Sequence, residues 1–157
     1  MCAQDNLCWT GPDERVLQLI DFGYASTSNG QTNFAGSPHY AAPEVHHVNH
    51  DFTDEERRQP FLAAGADVWS AAVCLFAMLA TQLPFGGGED TEEEQAALRE
   101  KVCSGVWDTQ PPCSDPALEV LTRMLAVDPE ERWSLDDVCE SAWVGGVDNI
   151  PWQALRS

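Results

Sequence analysis

Hydrophobic and polar positions divide the chain into short, differently patterned blocks. RVLQLI, residues 15–20, is an aliphatic run too short for a helix, and it predicts a strand aimed at Asp21. GPD at residues 11–13 is turn chemistry. Residues 24–38 are rich in Ser, Thr, Asn and Gly without a period, which predicts an exposed loop. HHVNHDFTDEERRQP, residues 46–60, is polar and charged and reads as a solvated insert with at most a turn of helix. FLAAGADVWSAAVCLFAMLA, residues 61–80, is apolar for nearly the length of a membrane span. Asp67 interrupts it, at roughly 2.5–3.5 kcal/mol for a mid-bilayer aspartate. The block is therefore read as a buried core helix over residues 65–80, stopped before Pro84.

Capping signals mark the helices that follow. Thr91 with Glu94 forms a capping box, three glutamates occupy the positive end, and Gly105 suits the C-terminal cap. Asp115 and Pro116 read as a cap and a first-turn proline, with Leu118, Leu121, Met124 and Leu125 as one apolar face. Ser134 with Asp137 starts a last short helix through Val138 and Ala142. One strand, a long loop and about four helices make a mainly α chain.

Composition narrows the classes. The chain has 157 residues, 43% of them hydrophobic, which supports one globular domain with a core. Its formal net charge of −18 disfavours nucleic acid and anionic membrane surfaces and favours a basic peptide or protein partner. Six cysteines without a CxxC pair read as reduced thiols, which implies a cytoplasmic or nuclear setting. His46, His47 and His50 with Asp51 lack an accompanying ligand pattern and read as part of the solvated insert rather than a metal site. The tryptophans are expected mostly in the core.

Several short motifs occur in a telling order. Asp21-Phe22-Gly23 is followed by Ala42-Pro43-Glu44, then Asp67-Val68-Trp69-Ser70, Leu83-Pro84-Phe85, and Asp128-Pro129-Glu130-Glu131-Arg132. In that order they resemble the DFG, APE, DVWS, LPF and DPxxR motifs of the C-terminal lobe of a eukaryotic protein kinase. Trp143 falls where the family's terminal helix carries a tryptophan. The implied fold is a helical, kinase-like C-lobe with a short β-strand pair before the DFG. It would be a partial domain over residues 1–144, with a tail over 145–157. GSPHYAAPEV, residues 36–45, resembles the calmodulin-dependent and AMP-activated group of serine/threonine kinases.

The resemblance implies roles. Asp21 would bind Mg²⁺, as a hard carboxylate oxygen suits that ion. Asn6, in DNLCW, fits the position of the second metal-binding residue. Ser37 stands where the family keeps a Ser or Thr that touches the catalytic loop and helps place the substrate hydroxyl. Glu44 and Arg132 would form a buried ion pair tying the activation segment to the helical lobe. Asp67 would be a buried acceptor for catalytic-loop backbone, left short of donors here and weakening the isolated fold. Thr32 is the expected regulatory phosphosite, although the family's spacing places that threonine at Asn33.

Other kinase parts are not found in these 157 residues. There is no Gly-rich phosphate loop and no VAIK lysine, and Lys101 is the single lysine. If Asn6 is in register, Met1 takes the place of the catalytic Asp and Ala3 that of the loop Lys. The implied activity is transfer of the ATP γ-phosphate to a protein Ser or Thr, with ATP and Mg²⁺ as cofactors. This stretch alone is expected to be inactive. The alternative is a truncated pseudokinase acting as a protein-binding module.

Overall fold

The computed structural model describes residues 4–10, 16–23, 25, 36–50, 63–86 and 91–145, for residues 4, 47–50 and 63 the backbone alone. Thr32, residues 51–60 and the tail beyond 145 lie outside the described residues, so the phosphosite expectation has no structural counterpart here.

A single 3₁₀ turn, Gln4–Asn6, leads into β1 (Leu7–Thr10), which pairs antiparallel with β2 (Val16–Leu19). The register sets Leu7 opposite Leu19 and Trp9 opposite Leu17. Side chains of directly opposed residues share a face, so these four make one apolar face of the ribbon. Every residue of β2 is exposed, and Trp9 is 62% exposed, the exception to the core placement of Trp69, Trp107, Trp133 and Trp143.

The helical part follows. A second 3₁₀ turn, Pro38–Tyr40, precedes α1 (Pro43–His50), and then come α2 (Ala63–Ala80), α3 (Glu92–Ser104), α4 (Asp115–Met124) and α5 (Leu135–Glu140). The core is built on α2. Trp69, Ala72, Val73 and Phe76 are fully buried at helical spacing. Against α2 packs α4, whose buried Ala117, Val120, Leu121 and Met124 form one stripe. Leu98 and Val102, one turn apart, bury the inner side of α3, which contacts α1. Trp69 stacks on Phe85 with centroids 5.6 Å apart, and Trp107 meets Phe76 edge-on at 5.4 Å. Burying side chains of this size contributes about 1.5–3 kcal/mol each, which is why α2 folds inward. Among the described residues no helix is long and apolar enough to cross a membrane.

The capping chemistry is specific. The Thr91 hydroxyl accepts from Glu94 N–H and donates to the Glu94 carboxylate at 2.8 Å. Gly105 ends α3 in the left-handed conformation at φ 67°. Ser134 and Asp137 form a full capping box at the start of α5.

Some expected boundaries shift. The N-cap of α4 is Ser114, with Asp115 already helical, because Pro116 is tolerated anywhere in the first turn. The last helix ends at Glu140 rather than Ala142. The polar block at 46–60 does not begin as a solvated insert. Its first residues continue α1 to His50, and His46 is buried, its Nε2 3.1 Å from the Pro38 carbonyl oxygen. His47, His50 and Asp51 are outside the described side chains.

Candidate functional site

Hairpin pairing brings the ends of two motifs together. Past the β1–β2 ladder, the Ile20 N–H donates to the Asn6 carbonyl at 2.9 Å. That bond holds Asn6 next to the residue that precedes Asp21. Asp21 itself is exposed and takes φ 60°, a left-handed conformation that Asp tolerates better than most residues. Its Oδ1 accepts from the Gly23 N–H at 3.1 Å, a local turn in which the carboxylate bonds its own backbone two residues on. Phe22, between them, is 65% exposed.

A carboxylate from Asp21 and a carboxamide from Asn6 would both offer hard oxygens of the kind Mg²⁺ takes. Two protein oxygens are few, but Mg²⁺ keeps water and takes phosphate oxygens, so a sparse set fits it bound together with a nucleotide. Among the described residues no group of three or more His, Cys, Asp or Glu side chains is placed to hold a metal.

Ser37 lies on the far side of the loop. Gly36 before it takes φ 119°, open only to glycine in practice. Ser37 then precedes the Pro38–Tyr40 turn, where its carbonyl accepts from the Tyr40 N–H at 3.2 Å. Its hydroxyl makes no capping bond to that turn. Residues 26–35, between Ala25 and Gly36, lie outside the described residues, so Asp21 and Ser37 are each placed only within their own segment.

Below Ser37 the segment is fastened to the helical core. The Ser70 hydroxyl lies 2.8 Å from the Tyr40 carbonyl and 3.0 Å from that of Ala66. Ala41 and Ala42 are fully buried. Glu44, in the first turn of α1, receives both Nη atoms of Arg132, at 2.6 and 2.9 Å. Arg132 also donates from Nε to the Ala126 carbonyl at 3.1 Å, and its guanidinium lies 5.1 Å from the Trp69 ring centroid. The N–H edge and one planar face of that cation are therefore engaged.

Asp67 differs from the expectation attached to it. It sits on α2 but is exposed, not buried, so water reaches the carboxylate and no penalty for a buried, under-bonded charge arises. Sequence reasoning missed two fasteners, Ser70 and His46. Ser70 lay inside the DVWS motif without a role. The signal for His46 was its place directly after the buried Ala41, Ala42 and Val45.

Comparison with known proteins shows the family. The family model of the protein kinase domain matches residues 4–144. The chain belongs to the protein kinase domain family. Its relatives include serine/threonine kinases. Over 141 residues, 88% of the chain, it is 32% identical to the mitosis inducer protein kinase cdr1 of Schizosaccharomyces pombe, covering 21% of that protein. It is 36% identical to the serine/threonine-protein kinase PEPKR2 of Arabidopsis thaliana over 82% of the chain and 25% of the relative. With the human ribosomal protein S6 kinase alpha-6 it shares 29% identity over 86% of the chain and 17% of the relative. The chain thus spans about a quarter or less of the length of these curated relatives.

Proposed function

We propose that residues 4–144 are the C-terminal-lobe part of a protein serine/threonine kinase of the calmodulin-dependent and AMP-activated type. The observation that supports this reading best is the bond from the Ile20 N–H to the Asn6 carbonyl, which links the backbone of the two segments that carry the expected metal-binding residues. In this reading Asp21 and Asn6 hold Mg²⁺. When bound there with ATP, the ion would supply positive charge against the phosphates. Ser37 orients the hydroxyl of a protein substrate, held on a segment whose other end is locked by Glu44, Arg132 and Ser70. Orientation of this kind lowers the barrier because the reacting groups no longer search for one another. The acidic surface selects basic substrate segments by long-range attraction.

The 157 residues alone are proposed to be inactive. They supply no lysine or glycine-rich loop to grip the nucleotide and no catalytic aspartate at the family position. Incubation of the chain with labelled ATP, Mg²⁺ and a basic peptide tests this. No transfer is expected. Transfer that disappears in Asp21→Asn would overturn the inactivity and show a complete site within these residues.

A further inference from the structure

A second surface lies on another face of the helical part. The end of α3, α4 and the loop 125–131 border an open, shallow cleft of about 930 Å³. Its floor is apolar, formed by the half-buried Leu118 and Val127 and the buried Leu125. Its rim is acidic. Asp115 and Glu119, one turn apart on α4, are exposed on one wall. Asp128 and Glu131 are exposed on the loop. Arg123 is the one cationic side chain in the lining. Among the described residues no ion pair engages these four carboxylates.

The loop wall is built, not incidental. Asp128 Oδ1 accepts from the Glu130 N–H at 2.9 Å, and the Glu131 N–H donates to the Asp128 carbonyl at 3.1 Å. This turn sends Arg132 inward to Glu44 and leaves Glu131 outward over the cleft. The opposite end is fixed by Gly105, whose backbone approaches Val127 so closely that an added Cβ would stand 2.7 Å from its Cγ2.

We infer that this cleft docks a basic segment of a partner protein, with aliphatic side chains on the Leu118–Leu125–Val127 floor and Lys or Arg against the Asp115, Glu119, Asp128 and Glu131 rim. The occupant follows from complementarity. Four rim carboxylates against one guanidinium, on a chain of net charge −18, attract a cationic ligand, and the apolar floor gives it a place to bury side chains. A second copy of the chain, at the same net charge of −18, complements this acidic rim less well than a cationic segment does. No residue of the Asp21 or Ser37 segments lines the cleft, so its occupancy can be tested without phosphotransfer.

The test is fluorescence anisotropy of a labelled lysine–leucine peptide with the 157-residue chain. Binding is expected, weakened when serine replaces leucine and when salt is raised. Glu119→Lys/Glu131→Lys should lower affinity about tenfold. Glu93→Lys/Glu100→Lys, the same charge change on exposed positions of α3, should leave it within about twofold. Equal losses in both variants would reduce the attraction to bulk charge and overturn the assignment. No binding, or self-association of the chain through this face, would do the same. Photo-cross-linking from a leucine position of the peptide to the unmodified chain needs no variant. Adducts within residues 115–131 support the cleft, and adducts elsewhere overturn it.

Discussion

The carboxylate of Glu44 and the guanidinium of Arg132, 88 residues apart in sequence, meet in a two-point pair at 2.6 and 2.9 Å. The Arg132 side chain is 1% exposed and that of Glu44 is 16% exposed, so the pair sits almost entirely out of water. It joins the start of α1 to the loop before α5 and lies over Trp69 at the centre of the core. A buried pair is a modest net stabiliser, but losing one partner strands a charge.

Glu44→Ala should therefore destabilise the helical part by about 3 kcal/mol. Urea denaturation followed by tryptophan fluorescence measures it. Glu44→Leu/Arg132→Met, which removes both charges, should lose less than the single change. A single-variant loss below about 0.5 kcal/mol, within the range of a surface substitution, would show that the pair is not structural.

Two glycines should respond in opposite directions. Gly105 holds φ 67°, and a Cβ there would meet Val127 at 2.7 Å. Gly105→Ala is expected to cost about 1–2 kcal/mol from the backbone alone. Gly65 lies inside α2, and a Cβ would stand 3.5 Å from Arg132 Nη1, an ordinary contact. Gly65→Ala should be neutral or stabilising by up to about 1 kcal/mol. Thermal melts of the two variants check both signs.

Acid should loosen α5. The Ser134 hydroxyl and backbone N–H both bond the Asp137 carboxylate and hold its pKa below the ordinary value. A depressed folded pKa gives stability that is complete above the unfolded value, about pH 4, and is lost as pH falls through the folded one. Asp137→Ala should abolish that part of the acid dependence. Amide chemical shifts of Ser134 and Asp137 followed down to low pH would reveal it, and an unchanged acid profile in the variant would contradict the capping role.

Much of this was legible because local chemistry is written in sequence. Thr91, Gly105 and the Ser134–Asp137 box fixed helix ends through bonds within a few residues. The motif order located the segments that hold Asp21, Glu44 and Arg132. What escaped depended on packing. His46 looked polar beside His47, yet its helix turns it onto Pro38. The role the family gives Asp67 implies burial, yet α2 presents it to water while Trp69 and Val68 turn inward. The aliphatic run RVLQLI reads as a strand, but its pattern cannot say whether anything covers the face that Leu17 shares with Trp9.

That uncovered face should make the isolated chain sticky. Two-stranded ribbons are marginal alone, and Trp9, Leu17 and Leu19 expose a contiguous apolar surface. The chain is expected to bind a hydrophobic dye and to associate with rising concentration. Trp9→Thr/Leu17→Thr should reduce both. A monomer with no dye binding, unaffected by the variant, would contradict this.

The central proposal is that these residues form a working kinase C-lobe when joined to a nucleotide-binding lobe. The direct measurement replaces the matching C-lobe of an active serine/threonine kinase with residues 6–144, keeping that enzyme's own N-lobe and catalytic Asp and Lys. The account predicts ATP- and Mg²⁺-dependent phosphorylation of a protein substrate on Ser or Thr, lost in Asp21→Asn and in Asn6→Ala. A folded chimera that transfers no phosphate, or one indifferent to Asp21, would contradict it.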